Sequence, residues 1–202
     1  DGAEGDDFRT VGGDYYKPTD ADYEANCDEA RQLLADAGYP NGEGFPVVEY
    51  LYNTSDAHKA VAEALQFMWE EELGVKVTLN NQEWAAFLQT RKDGDYSIAR
   101  NGWIADYNDP ISFLDMWMTG GGNNDAQYAN DDYDALIKQA KTTTDNAERM
   151  DLLHQAEDKL IGEDSVLAPL YFYTQKYMLA DGIEGMYYCP LGYFFFGYTH
   201  QA

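Results

Sequence analysis

Between Val47 and Ala99 the chain alternates in a way that leaves few folds open. Val47-Val48-Glu49-Tyr50-Leu51-Tyr52 is dense in β-formers and reads as a strand. Asn53-Thr54-Ser55-Asp56 then offers several N-caps in a row. Val61, Ala64, Leu65, Met68 and Trp69 recur on one face of a following helix, which Gly74 stops. Val75-Lys76-Val77-Thr78-Leu79 alternates as a second strand, and a short helix from Glu83 turns Trp84, Phe87 and Leu88 inward. Tyr96 to Ala99 is a third strand. Strand, helix, strand, helix, strand is the rhythm of an α/β sheet, with crossovers that are right-handed wherever the strands run parallel.

The third strand delivers the chain to Arg100-Asn101-Gly102-Trp103-Ile104-Ala105-Asp106-Tyr107-Asn108-Asp109-Pro110. Pro110 disfavours a helical Asp109 and is itself well placed at a helix start. Strand ends that feed a loop and then a helix are where open α/β sheets place ligands. This loop carries a cation (Arg100), an indole plate (Trp103) and an anion (Asp106), the groups that would hold a zwitterion. The competing reading is a surface loop whose Asp106 or Asp109 merely caps the helix after Pro110.

Around this centre, residues 1–22 are rich in Gly and Asp and read as an irregular opening segment. Glu24 to Ala37 is a helix, with Ala30, Leu33, Leu34 and Ala37 at helical spacing and Gly38 as its stop. After Pro110 a short apolar helix runs through Phe113, Leu114 and Trp117, and Thr119 to Asn124 is flexible by composition. Asp132 to Lys141 forms a helix with Tyr133, Leu136 and Ile137 inward. A longer helix from Asp145 buries Leu152, Leu153, Ala156 and Leu160. Val166 to Tyr173 reads as a strand with Pro169 near an edge or bulge. The remainder is crowded with Tyr187, Tyr188, Tyr193, Phe194, Phe195, Phe196 and Tyr198, a surface that implies a packing partner.

Charge excludes one class of partner. The 202 residues hold 13 Lys and Arg against 37 Asp and Glu, a net −24, and phosphate binding needs basic clusters. Nucleic acid is therefore not expected as a partner. No run of about 18 apolar residues suggests a membrane span, and Asp1 to Asp7 reads as an internal cut point, not a leader. Gly120-Gly121-Gly122 lacks the Lys-Ser/Thr of a phosphate loop, and His58, His154 and His200 share no metal spacing. His154, beside Leu153, reads as a half-buried or surface side chain. Asp131, Asp132 and Asp134 lack the ordered pattern of a calcium loop and read as a solvated helix start. Cys27 and Cys189 leave a disulfide or two separate thiols open, with isolated thiols the better fit to their spacing. Asp106 with Asp109 could be a glycosidase carboxylate pair only in principle, since both come from one loop.

Two blocks together carry a resemblance. Tyr52-Asn53-Thr54-Ser55-Asp56-Ala57-His58-Lys59 and the stretch from Ala99 to Pro110 look like the matching blocks of bacterial oligopeptide-binding proteins. These are the extracytoplasmic solute-binding receptors of peptide ABC importers. Asn81-Gln82-Glu83-Trp84 and Leu33-Leu34-Ala35-Asp36-Ala37-Gly38-Tyr39-Pro40 fit the same register, which runs from Asn26 to Tyr173.

The resemblance implies an α/β fold: one lobe, the carboxy-terminal one, of a bilobal periplasmic-binding-protein-like receptor, with a mixed sheet flanked by helices. Residues 23–173 would form that ligand-binding lobe, incomplete at its start, and residues 174–202 would return to the missing lobe. Asp106 matches the carboxylate that holds a peptide α-ammonium. Arg100 and His58 match cationic positions that meet the carboxylate of short peptides, and Trp103 matches an indole lining a side-chain pocket; Tyr107 and Asn108 complete the expected ligand-binding set. The implied function is non-enzymatic binding of short peptides by their α-ammonium and backbone, with no cofactor and no metal. The implied partner is the membrane permease of an ABC transporter. The intact receptor would be extracytoplasmic, periplasmic or lipid-anchored. Alternatives are the same fold with a nickel chelate, sugar or heme as solute, or a secreted hydrolase. Cut from its lobe, the aromatic tail is expected to dock against a second copy of the chain.

Overall fold

A computed structural model of the chain describes residues 20–189 and 191–202. They fall into two units, residues 20–102 with 125–127 and residues 103–124 with 128–202. The opening segment expected over residues 1–22 lies almost wholly outside the described residues.

In the first unit α1 (Asp20–Asp36) precedes β1 (Val48–Asn53), α2 (Asp56–Leu73), β2 (Val77–Gln82), α3 (Trp84–Asp93) and β3 (Ile98–Ala99). The three strands form one parallel sheet in the order β2-β1-β3. Tyr50 stands opposite Leu79 on one side and Ile98 on the other. Because β1 is central, four successive residues from Tyr50 to Asn53 are buried, as in a strand covered on both faces. Tyr50, Tyr52, Ala62, Val75 and Val77 form the core, with Leu34, Phe45, Leu65, Trp69 and Leu73 packed on it.

Two helix faces differ from the sequence reading. On α2 the inward stripe is Ala62, Leu65, Trp69 and Leu73, while Ala64 and Met68 lie exposed. On α3 only Phe87 and, one turn on, Arg91 are buried, and Trp84 and Leu88 face solvent. The Arg91 guanidinium pairs with Asp125 and stands 5.2 Å from the Phe87 ring centroid. The carboxylate answers the buried charge and the ring face adds attraction, so a charged residue can take the inward position expected of Leu88.

The turn after α1 meets the end of α2 at two glycines. Gly42 (φ +74°) and Gly74 (φ +67°) approach so closely that a Cβ on Gly42 would lie 2.5 Å from the Gly74 carbonyl carbon. Gly42→Ala thus combines a left-handed φ with a backbone clash. Its expected effect is a loss of more than about 1 kcal/mol of stability, read as a lower urea midpoint. An unchanged midpoint would mean the two turns can separate freely.

In the second unit α4 (Ile111–Leu114) runs into a tight turn at Asp115–Trp117, followed by α5 (Asp131–Ala140) and α6 (Asn146–Glu157), which widens into a π-type turn at Asp158–Glu163. Ile111, Leu114, Trp117, Tyr133, Ile137, Leu153, Ala156 and Leu160 are buried together. The Tyr133 hydroxyl donates to the Leu114 carbonyl at 2.6 Å. Burial, aided by the nearby Tyr128 and Asp115, raises its pKa well above the ordinary phenol value. Asn130 caps α5, its Oδ1 accepting from the N–H groups of Asp132 and Tyr133. Asp134, expected in solvent, is instead buried and accepts the Thr119 N–H at 2.9 Å. His154 is buried as well, and burial pushes its imidazole below the ordinary value against the opposing Asp158 and Asp151.

The glycine-rich stretch from Thr119 is fastened, not loose. Asn124 is buried, with Nδ2 donating to the Met118 and Tyr128 carbonyls at 3.1 and 2.8 Å. Val166–Tyr173, expected as a strand, joins no ladder among the described residues, because β-forming residues make a strand only beside an edge that can pair with them. Beyond it the tail pairs with itself. β4 (Ile183–Glu184) runs antiparallel to β7 (His200–Gln201), and β5 (Tyr187–Cys189) to β6 (Tyr193–Phe195). Tyr187 stacks on Phe195 at 4.7 Å and Tyr188 lies 5.0 Å from Phe194. Cys27 and Cys189 are free thiols. Among the described residues no helix is long and apolar enough to cross a membrane.

Candidate functional site

The chain leaves β1 for β2 on one side and then crosses to β3 on the other, so the strand order reverses between β1 and β3. Open parallel sheets receive ligands at such a reversal, beyond the carboxyl ends of the strands. Asn53 ends β1 and Ala99 ends β3, and the Arg100 N–H donates to the Leu51 carbonyl at 2.8 Å, extending that ladder by one bond. Asn53 is buried and gathers both candidate cations. Its side-chain Oδ1 accepts from Arg100 Nη1 at 3.4 Å, and its carbonyl meets His58 Nδ1 at 3.3 Å. A carbonyl only accepts, so this contact places the proton on Nδ1. Gly102 lets the guanidinium fold back over the loop, since a Cβ there would lie 3.0 Å from Arg100 Nη2. In the sequence Asn53 reads only as a cap; the signal for its role is a polar residue directly after the run Tyr50-Leu51-Tyr52 of the central strand.

The other candidate residues share one loop of the second unit. Trp103 is half-buried against the helical core, and its buried Nε1–H has no hydrogen-bond partner among the described residues. Asp106 donates its N–H to the buried Ser112 Oγ at 2.9 Å, while its carboxylate is exposed and makes no hydrogen bond or ion pair seen among the described residues. Asp109 takes the capping role: its Oδ1 accepts the Ile111 N–H at 2.9 Å and Arg149 Nη2 at 2.8 Å. Burial works to raise the Asp109 pKa, but the bonds from Arg149 and Ile111 outweigh it and hold the carboxyl below its usual range. Tyr107 and Asn108 are exposed. Partial burial, with Asp115 and Asp109 nearby, raises the Tyr107 phenol despite Lys141 and Arg149.

The structure therefore brings His58 and Arg100 together at Asn53, and sets Trp103, Asp106, Tyr107 and Asn108 along one loop. The two readings of that loop divide between its acids: Asp109 caps, and Asp106 remains available. Among the described residues no group of three His, Cys, Asp or Glu side chains could hold a metal.

Comparison with known proteins gives the family. The family profile described as bacterial extracellular solute-binding proteins, family 5 Middle, matches residues 3–125. The chain belongs to this family. It is 39% identical over 191 residues to the dipeptide-binding protein DppE of Bacillus subtilis, covering 94% of this chain and 34% of that protein. It is 40% identical over 158 residues to the periplasmic oligopeptide-binding protein OppA of Salmonella typhimurium, covering 78% and 29%. Among solved structures, the murein tripeptide binding protein MppA of Escherichia coli superposes with a TM-score of 0.74 at 33% identity, over 80% of this chain and 31% of that one. The α/β fold is thus that of one lobe of a periplasmic binding protein, and the chain spans about a third of the length of the curated relatives it matches. These relatives are binding proteins, not enzymes.

Proposed function

We propose that this chain is the carboxy-terminal lobe of a receptor that binds short peptides and delivers them to the membrane permease of an ABC importer. The observation that carries the reading is the division of labour in the loop after β3. Asp109 is engaged by Arg149 and the helix start, while the Asp106 carboxylate three residues earlier stays exposed for a ligand cation. At the strand ends Arg100 and His58, gathered by Asn53, supply the opposite charge for a peptide carboxylate. Trp103, Tyr107 and Asn108 line the remaining contacts. Both charges of a buried zwitterion must be answered, because an unpaired one is costly to desolvate. The names of the more similar relatives, dipeptide- and oligopeptide-binding at 39–40% identity, support a peptide as solute, while a heme-binding relative from Haemophilus influenzae matches at 30%.

The receptor acts without catalysis and without a cofactor, outside the cytoplasmic membrane, periplasmic or lipid-anchored. Residues 23–173 serve as the ligand-binding lobe, and residues 174–202 as the segment that returns to the second lobe. In the isolated chain that segment mediates a dimer.

The test uses the full-length receptor and short peptides with free or acetylated amino termini and free or amidated carboxyl termini. Acetylation is expected to abolish most of the affinity at every length. Amidation is expected to hurt short peptides more than long ones, because only a short peptide places its carboxylate at Arg100 and His58. Equal affinity for free and acetylated peptides would refute the reading, and turnover of a glycoside would replace it with a hydrolase.

A further inference from the structure

The loop bearing Asp106 is braced from α6, a helix that carries none of the candidate ligand residues. We propose that Arg149 is a positioning residue for the Asp106 carboxylate, acting through Asp109; this rests on the peptide-binding reading above.

The span from Asp106 to Asp109 has no regular secondary structure, so its shape depends on the bonds at its ends. At one end the Asp106 N–H donates to Ser112 Oγ at 2.9 Å, and Ser112 is buried. At the other end one oxygen, Asp109 Oδ1, receives both the Ile111 N–H and Arg149 Nη2, while the Asp109 carbonyl accepts the Ser112 N–H at 3.1 Å. Ser112 is thus bonded to both ends, and Arg149 adds a tie to a second helix. A bond from the Asp109 N–H to the Tyr107 carbonyl at 2.9 Å tightens the middle.

Helix stability alone does not favour Arg149 where it stands. It lies in the opening turns of α6, where the helix dipole disfavours a cation. Its side chain is only 20% exposed, in a chain where cations are outnumbered 37 to 13. The pairing also keeps Arg149 on Asp109 and off the Asp106 carboxylate, which a ligand ammonium would otherwise have to win from it. A second pair, Lys141 with Asp115 at 3.1 Å, flanks the same loop, and the Tyr107 phenol lies in the field of both pairs. A binding carboxylate works best when the groups behind it are locked by their own hydrogen bonds.

The experiment measures the preference of the full-length receptor for trialanine over N-acetyl-trialanine. It uses the wild type, Arg149→Met, Arg149→Lys, Asp106→Asn and the double variant Asp106→Asn with Arg149→Met. Arg149→Met is expected to lower the preference about tenfold, the low end of what losing the residue that holds a metal ligand costs in metal sites. Arg149→Lys should restore part of it, since an ammonium can pair with Asp109 without the guanidinium fork. In the Asp106→Asn background Arg149→Met should change the preference no further. If Arg149→Met weakens both peptides equally, or still changes the preference without Asp106, the proposal is overturned and Arg149 is merely structural. If Asp106→Asn alone leaves the preference intact, the peptide-binding reading fails first. Should Arg149→Met not fold, Asp109→Asn, which retains an acceptor for Ile111, removes the charge pair and is expected to give the same loss.

Discussion

Asp106→Asn in the full-length receptor is expected to weaken binding of a short free-amino peptide by about 2–4 kcal/mol, the range for removing one partner of a desolvated charge pair. At 1.4 kcal/mol per decade this is roughly 30- to 700-fold. The structure explains why the effect should be large. The carboxylate is exposed, and its nearest competitor in the sequence, Asp109, is already held by Arg149 and Ile111, so that acid is not placed to substitute for it. Its backbone, not its side chain, supplies the link to Ser112. Asn preserves that link and the side-chain volume, so folding should be untouched. N-acetylated peptides, which lack the ammonium, should bind the variant and the wild type alike. Calorimetry giving equal affinities for the free peptide would sink the assignment.

The parts of the fold that were legible in the sequence are those whose signal is local and periodic. β1, α2, β2 and α3 follow from the spacing of apolar residues and from Gly74, each within a window of a dozen or so positions. What escaped was long-range pairing of polar groups. Arg91 with Asp125 and Arg149 with Asp109 lie 34 and 40 residues apart, and no periodicity links their members. The same holds for Asn124, whose neighbours Gly120, Gly121 and Gly122 suggest looseness while its amide ties the turn shut. Val166–Tyr173 shows the opposite failure: strong β-formers with no adjacent edge to pair with among the described residues. For the site, the residue types of the loop after β3 suggest a zwitterion, which the peptide experiments test. Which of its two acids capped the helix depended on Arg149, and so on tertiary structure.

The isolated 202-residue chain is expected to run in light scattering at about twice its 22.8 kDa mass, and at the single mass once residues 174–202 are deleted. The tail satisfies part of its own demand by pairing β4 with β7 and β5 with β6, which covers faces of Tyr187, Tyr188, Phe194 and Phe195. It leaves the rest in water. Met178 is 95% exposed and Tyr198 78%, and Leu170, Tyr171, Phe172 and Tyr173 stand exposed in succession. Each aromatic side chain can bury about 150–250 Å², at roughly 25 cal/mol per apolar Å². Alongside them, the backbone from Val166 to Ala180 joins no ladder among the described residues, and backbone groups outside any sheet can pair with another chain. The net charge of −24 opposes association, but charges farther apart than about 8 Å are screened at physiological salt. Dimerisation should therefore strengthen as salt is added, the reverse of an interface built on ion pairs. A chain that stays monomeric at high concentration and high salt, with a tail readily cut by protease, would refute the pairing.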